Sequence, residues 1–394
     1  MHDSKPGSSP LRLPAQVLLG ILACCALSAS AQPTLTCTQS NQPAATLLLP
    51  YFEVDLVAAE GRNTLFSIGN TYLEPVLVRT VVWTNWGHPA LSFDTSVPAG
   101  GMRMLDLRRL LAGDLPTSMP PPPNEDGHFD SCLFPVTQPS IDPDAIKGRL
   151  LGEADPQDGL CYAGTPGSPG LATGYVTVDV VQDCSGTEKV DPRSPGYFGD
   201  CASGLAGNDN VLWGNVYRID SLGDSAQGEQ LVAITADQRR FGAPNLCVDP
   251  PCGSRIGWSF YRDAAQGNRA PLPTEYRSHF MLGQRYQTDL VVWAEGTTGP
   301  ANCHQPTGGP DIELDVADYS GQAITTIDLN GRGQTFRLSL TDELGATSFA
   351  GVLRLASSDS FRPVQTWVGP LLTAQSRFSV GLTAFATQDL CEGQ

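Results

Sequence analysis

The chain has 394 residues, 41% of them hydrophobic and 16% charged, and its 24 basic against 41 acidic side chains give a formal net charge of −17. That is a globular rather than a disordered composition, and its acidity speaks against nucleic acid or anionic lipid as a partner. Forty-one glycines and 32 prolines call for many turns.

Residues 1–31 read as a secretory leader. Lys5 and Arg12 precede an apolar run from Val17 to Leu27, and Ala29-Ser30-Ala31 closes it with small residues, so the mature chain is expected to begin at Gln32. The run is shorter than the roughly 20 residues that span a bilayer. Cys24, after Ile21-Leu22-Ala23, resembles a lipoprotein box, but the Ala29-x-Ala31 site follows a full apolar run and is better placed. No later segment is long or apolar enough to cross a membrane, so an exported protein is expected: secreted, periplasmic or on the cell surface.

Of 11 cysteines, Cys24 and Cys25 leave with the leader and nine remain. In an exported chain their default state is the disulfide. Short loops favour Cys184–Cys201 and Cys247–Cys252, with Cys132–Cys161 bracketing an insertion; Cys37, Cys303 and Cys391 then hold the odd thiol. No CxxC occurs and the histidines are scattered, which leaves no zinc pattern.

The first strands are Thr46 to Leu56, Thr64 to Gly69, Val76 to Trp83 and Leu91 to Val97, all rich in β-branched and aromatic residues and cut by Gly, Asn and Pro. One helical turn is expected from Asp106 to Ala112, with Asp106 as its cap. From Leu115 to Pro143 prolines accumulate, four of them consecutive at Pro120 to Pro123, and the segment reads as an extended surface excursion.

Three pairs of segments repeat in the same order. Val82 to Asp94 lies against Val316 to Asp328, and Gly174 against Gly351, each glycine opening a strand. Residues 226–237 lie against 374–385 with five of twelve positions identical. The expected fold is therefore all-β: two antiparallel, immunoglobulin-like β-sandwich domains, the products of a divergent internal duplication. The domains are residues 32–245, carrying the Pro/Cys-rich insertion at about 115–169, and residues 246–394. YFEVDL at 51–56, GYVTVDVVQDC at 174–184 and NRAPLPTEY at 268–276 resemble a family of uncharacterised exported bacterial proteins. The resemblance implies a bacterial, exported setting and transfers no site residue.

No stretch carries a complete catalytic constellation. Ser225, in Gly223-Asp224-Ser225, has the look of a nucleophile, yet a nucleophile needs a base and oxyanion donors, and a turn before a strand explains it as well. Glu53 with Asp55, and Glu313 with Asp315, put two carboxylates on one strand face; such pairs serve glycosidases but more often form a solvated face. Asp155 with Asp158, Asn208-Asp209-Asn210, and Asp328 with Asn330 offer the hard oxygens of a structural calcium, without EF-hand spacing. No other cofactor is indicated. Trp83 and Trp293 end apolar runs and belong in a core, whereas Trp86, in a turn, and Tyr72, with Trp258 and Tyr261 at similar spacing, are candidates for an exposed binding face. The leading expectation is an exported, non-catalytic structural or interaction protein with an unknown protein or glycan partner; the alternative is a hydrolase or glycan-binding protein using acidic and aromatic loop residues.

Overall fold

The computed structural model describes residues 42–116, 140–152, 168–181, 197, 205–236, 269, 272–295, 310–345, 348–358, 364–374, 378–381 and 384–388. The leader, all nine remaining cysteines, Trp258, Tyr261, Asp155, Asp158 and the expected boundary at 245/246 lie outside the described residues.

The fold is all-β, and every strand pairing is antiparallel. In the first half the strands are β1 (Thr46–Asp55), β2 (Arg62–Asn70), β3 (Val76–Thr84), β4 (Pro89–Val97), β5 (Met102–Asp106), β6 (Leu171–Val180), β7 (Leu212–Trp213), β8 (Asn215–Asp220), β9 (Ser225–Gln230) and β10 (Val232–Ile234). The second half contributes β11 (Glu275–Leu282), β12 (Tyr286–Ala294), β13 (Ile312–Asp318), β14 (Ala323–Asp328), β15 (Thr335–Ser339), β16 (Phe349–Ser357), β17 (Thr366–Ala374), β18 (Phe378–Gly381) and β19 (Phe385–Gln388).

Each half pairs a five-stranded sheet with a second sheet whose main path has four strands, to which the first half adds β7. The first half has β10-β1-β6-β3-β4 and β5-β2-β8-β9, with β7 beside β2; the second has β14-β13-β16-β11-β19 and β15-β12-β17-β18. Taken in chain order, the two halves have the same strand order. The blocks around Gly174 and Gly351 also coincide in register: Thr84 faces Gly174 as Asp318 faces Gly351, and a bulge follows Val82 and Val316 alike.

Two expectations need correction here. In an immunoglobulin sandwich the first two strands are neighbours; here β1 lies between β10 and β6, and β2 sits in the opposite sheet. The chain leaves β1 through a turn in which the Asp55 carboxylate accepts hydrogen bonds from the Val57 and Ala58 amides, at 2.9 and 2.7 Å, and crosses over instead of closing a hairpin. The third repeated block is also out of register by five residues. Ser225, not Gln230, opens the hairpin strand that Phe378 opens in the second half.

The helices are short. α1 (Leu107–Leu111) is capped by Asp106, whose side chain accepts from the Arg109 amide, as expected. α2 (Pro143–Leu151) begins where the expected extended excursion ends, within the insertion at about 115–169. Asp142 caps its start, Pro143 needs no amide partner there, and Gly152 ends it in the left-handed conformation. Ile146 and Leu150 bury its inner face. α3 (Leu340–Leu344) follows β15 as α1 follows β5.

Three cores result. Leu47, Leu49, Phe66 and Val216 pack between the sheets of the first half, and Phe280, Leu290, Leu314 and Leu353 between those of the second. Leu48, Val81, Trp83, Tyr175 and Ile234 face Val291, Trp293, Trp367 and Leu371 in a third core, where the first half's five-stranded sheet lies on the second half's four-stranded sheet. Hence β1, β6 and β3 are buried on both faces, which explains their near-continuous apolar runs. Trp83 stacks on Tyr175 with 5.6 Å between ring centroids, and Tyr175 meets Trp293 edge-on at 6.0 Å. Among the described residues no helix is long and apolar enough to cross a membrane.

Candidate functional site

The site begins with a bulge. Leu47 and Leu49 point into the first sandwich, so strict alternation along β1 would send Tyr51 and Glu53 there too. The register shifts between Leu49 and Phe52, at Pro50, which has no amide to donate to the ladder. Phe52 and Val54 take the inward positions, and Tyr51 and Glu53 turn toward the second half. The Pro50 carbonyl accepts a 2.7 Å hydrogen bond from the Thr335 hydroxyl of β15.

There the two halves border a cleft of about 860 Å³. Glu53 is its centre. Its carboxylate accepts from the Tyr51 hydroxyl at 2.7 Å, from Arg62 at 3.1 Å and from Arg337 at 3.2 Å. Arg337 also grips Asp289 with two donors, at 2.8 and 2.6 Å, while Arg62 reaches Asp220 at 3.3 Å. Asp220, Arg62, Glu53, Arg337 and Asp289 thus form a ladder of alternating charge that crosses from one half to the other. Arg218 pairs with Glu229 at 2.6 Å, and Arg332 with Glu343 at 2.7 Å. Among the described residues the lining holds four arginines (62, 218, 332, 337) and four acids (Glu53, Asp220, Asp289, Asp342), and every one of these arginines has a carboxylate partner.

Burial on its own would raise the Glu53 pKa, but Arg337 and Arg62, helped by the Tyr51 hydroxyl, outweigh it and hold Glu53 below the usual carboxylate range. Burial and the adjacent Glu53 charge raise the Tyr51 phenol well above its ordinary value, so it stays a donor. Arg337 loses by desolvation and gains more from Glu53 and Asp289, a net upward shift. Glu53 is therefore built to accept hydrogen bonds and not to deliver a proton, the reverse of a glycosidase acid.

The sequence candidates are distributed unevenly around this cleft. Trp86 lines its mouth, half-buried, in the β3–β4 turn, whose Asn85 carbonyl accepts from the Gln334 and Thr335 amides. Tyr72 is half exposed beyond the opposite end of β3 and does not line this cleft. Ser225 lines the cleft at the start of β9, but no histidine stands among the described lining residues, and its neighbour Asp220 is engaged by Arg62 and the Gly223 amide. Asp55 caps the turn after β1. Asp315 is held by Arg354 at 3.0 Å and the Thr326 hydroxyl at 2.7 Å, on the outer sheet with Glu313. Of these four carboxylates only Glu53 lines the cleft. Asn208 accepts from Arg269, Asn210 binds both polar groups of the Ala236 backbone, and Asp328 accepts from the Asn330 amide. Among the described residues no group of three or more His, Cys, Asp or Glu side chains could hold a metal ion.

A further titrating group stands at the end of β12. Glu295 accepts from the Gln365 amide at 2.9 Å, and burial pushes its pKa up to about 8. Between pH 4.5 and 8 the folded chain keeps a proton that the unfolded chain releases, so stability falls as pH rises through that window. Glu295→Gln should flatten this slope and add about 1–3 kcal/mol at pH 8.5, a value reduced for partial exposure. Urea unfolding at pH 5 and 8.5 measures both.

No protein-family profile matches the chain, and no curated protein does. Among solved structures, the lectin of Pleurotus ostreatus in complex with GalNAc aligns over 88% of this chain and 80% of its own, at 7% identity and a TM-score of 0.15. Its apo form aligns over 90% and 80%, at 7% identity and a TM-score of 0.16. Likeness at this level carries no argument about fold or function.

Proposed function

We propose that this is an exported, non-catalytic binding protein of the bacterial exterior, which holds its ligand in the cleft between its two sandwiches. One observation carries the reading: a cleft of about 860 Å³, inside the usual range for ligand sites, whose ladder of acids and arginines is already paired before any ligand arrives. Such a wall is preorganised to recognise polar groups. A hydrolase would instead need an acid free to give up a proton, or a serine with a base, and Glu53 and Ser225 meet neither need. Export rests on the leader pattern and the cysteine content.

The test uses the mature chain from Gln32 and a variant, Ser225→Trp, that fills the cleft from a half-buried position. Polysaccharide, peptide and lipid fractions of bacterial envelope are screened by thermal shift. At least one fraction should raise the melting temperature of the parent by several degrees and leave Ser225→Trp unmoved. A parent that responds to none, or a variant that responds equally, would remove the cleft from the function.

A further inference from the structure

We propose that the cleft ligand is a neutral saccharide chain, with one sugar ring lying on the face of Trp86 and its hydroxyls set along the ladder of Glu53, Arg337 and Asp289. This rests on the reading of the cleft as a binding site. Three observations point to that chemistry.

Charge comes first. Every arginine among the described lining residues already has a carboxylate partner: Arg218 has Glu229, Arg332 has Glu343, and Arg62 and Arg337 have the acids of the ladder. An anion would displace carboxylates from their guanidinium partners, and a cation would do the opposite. Either would leave a mostly buried charge without its counterion, at a cost. A neutral ligand leaves every pair intact.

The second is the order of the polar groups. Carboxylate and guanidinium alternate along the wall at spacings of 3.3, 3.1, 3.2 and 2.6 Å, so paired acceptors are followed by paired donors. A hydroxyl is both donor and acceptor, and neighbouring hydroxyls on a sugar ring can answer both kinds of group in turn. The exposure of Arg62 (41%), Arg337 (30%) and Asp220 (30%) leaves free edges for such bonds.

Third, Trp86 is a ring held ready. Its amide donates to the Thr84 hydroxyl, which fixes the turn that carries it, and the side chain is half-buried. Trp86 lines the same cleft as the ladder. An indole face beside alternating polar groups matches the two sides of a pyranose, one lined with C–H bonds and the edge with hydroxyls.

The experiment is calorimetric titration of the mature protein with neutral oligosaccharides (α- and β-linked glucans, chitin oligomers, galactans), an oligogalacturonate, and one acidic and one basic peptide. A neutral series should saturate, and its Kd should change less than about twofold between 50 and 500 mM NaCl, since no net charge is neutralised. Trp86→Ala should weaken binding about tenfold or more, and Trp86→Phe, which keeps an aromatic face and the packing, only a few-fold. Saturation by the oligogalacturonate or a peptide instead, with steep salt dependence and loss in Ser225→Trp, would overturn the saccharide and leave the cleft site standing. Neutral saccharide binding unchanged by both Trp86→Ala and Ser225→Trp would place it elsewhere and overturn the proposal. Binding of no probe overturns it too, and the envelope-fraction screen then decides the fate of the cleft.

Discussion

Gly174→Ala is expected to destabilise the protein by about 3 kcal/mol or more, and Gly351→Ala to do the same. A Cβ at Gly174 would overlap the carbonyl oxygen of Trp83 and approach the Phe52 ring to 2.9 Å; one at Gly351 would overlap the carbonyl of Ala317 and approach Phe280 to 3.0 Å. Both clashing carbonyls sit at bulges in the neighbouring strand, so the backbone would have to move. β6 cannot retreat, because it is paired on both edges and covered on both faces. Gly228→Ala is the control: its Cβ would meet the exposed ring of Tyr217 at 3.1 Å and the Val216 carbonyl at an ordinary 3.8 Å, and should cost under about 1 kcal/mol. Equilibrium unfolding in urea measures all three. A Gly174→Ala chain as stable as Gly228→Ala would show that the approach of β3 to β6 is not fixed.

Arg337→Ala should cost about 3–5 kcal/mol at neutral pH. Arg337 is itself 30% exposed, but its partners Glu53 and Asp289 are only 8% and 6% exposed, and they belong to different halves. Truncation leaves two buried carboxylates facing one cleft. Arg337→Lys should recover only part of the loss, since one ammonium cannot reproduce the two-sided grip. The pH dependence gives a second readout. In the parent, the lowered pKa of Glu53 contributes stability that is present above its unfolded value near 4.3 and fades as pH falls through its folded value. Arg337→Ala removes much of that contribution, so its deficit should be largest at pH 7 and shrink below about pH 4. A deficit independent of pH would mean that lost packing, not lost charge, is responsible.

The β content was plain in the sequence because period-two patterns and turn residues agree along β2, β4 and β11. Runs without alternation, such as Thr46 to Phe52 and Leu290 to Trp293, carried the further message that both faces are covered, although which surfaces cover them depends on how the halves dock. α2 had full local signals in Asp142, Pro143 and Gly152, overshadowed by the prolines before it. The cleft was far less legible. Glu53 could be singled out as a strand carboxylate, but its direction depends on one extra residue at Pro50, and a shift of one reverses every side chain after it. Its partner Arg337 is 284 residues away, and no linear pattern links the two. Trp86 could be singled out because a tryptophan in a turn between two strands has few places to hide, and it lines the cleft.

The way the two halves meet has a consequence for assembly. A five-stranded sheet laid on a four-stranded one is a head-to-tail junction between unlike surfaces, and each half owns one of each. Junctions of this kind, repeated, close into a ring or grow into a filament according to the rotation between units. Among the described residues, the sheet of β5, β2, β8, β9 and β7 exposes Trp213, Tyr217, Met102 and Met104, and the other outer sheet is β14-β13-β16-β11-β19. Growth is discouraged at the second of these. Where the first half presents Val81, Trp83, Tyr175 and Thr177 to its neighbour, the second carries Asp315, Ala317, Val352 and Arg354, with Arg354 tied to Asp315 and to Glu275 at 3.0 and 2.6 Å. Covering that ion-pair cluster would strip it of water without supplying partners. A few charges on one outer sheet thus weigh against repeating there the mode of stacking that joins the two halves.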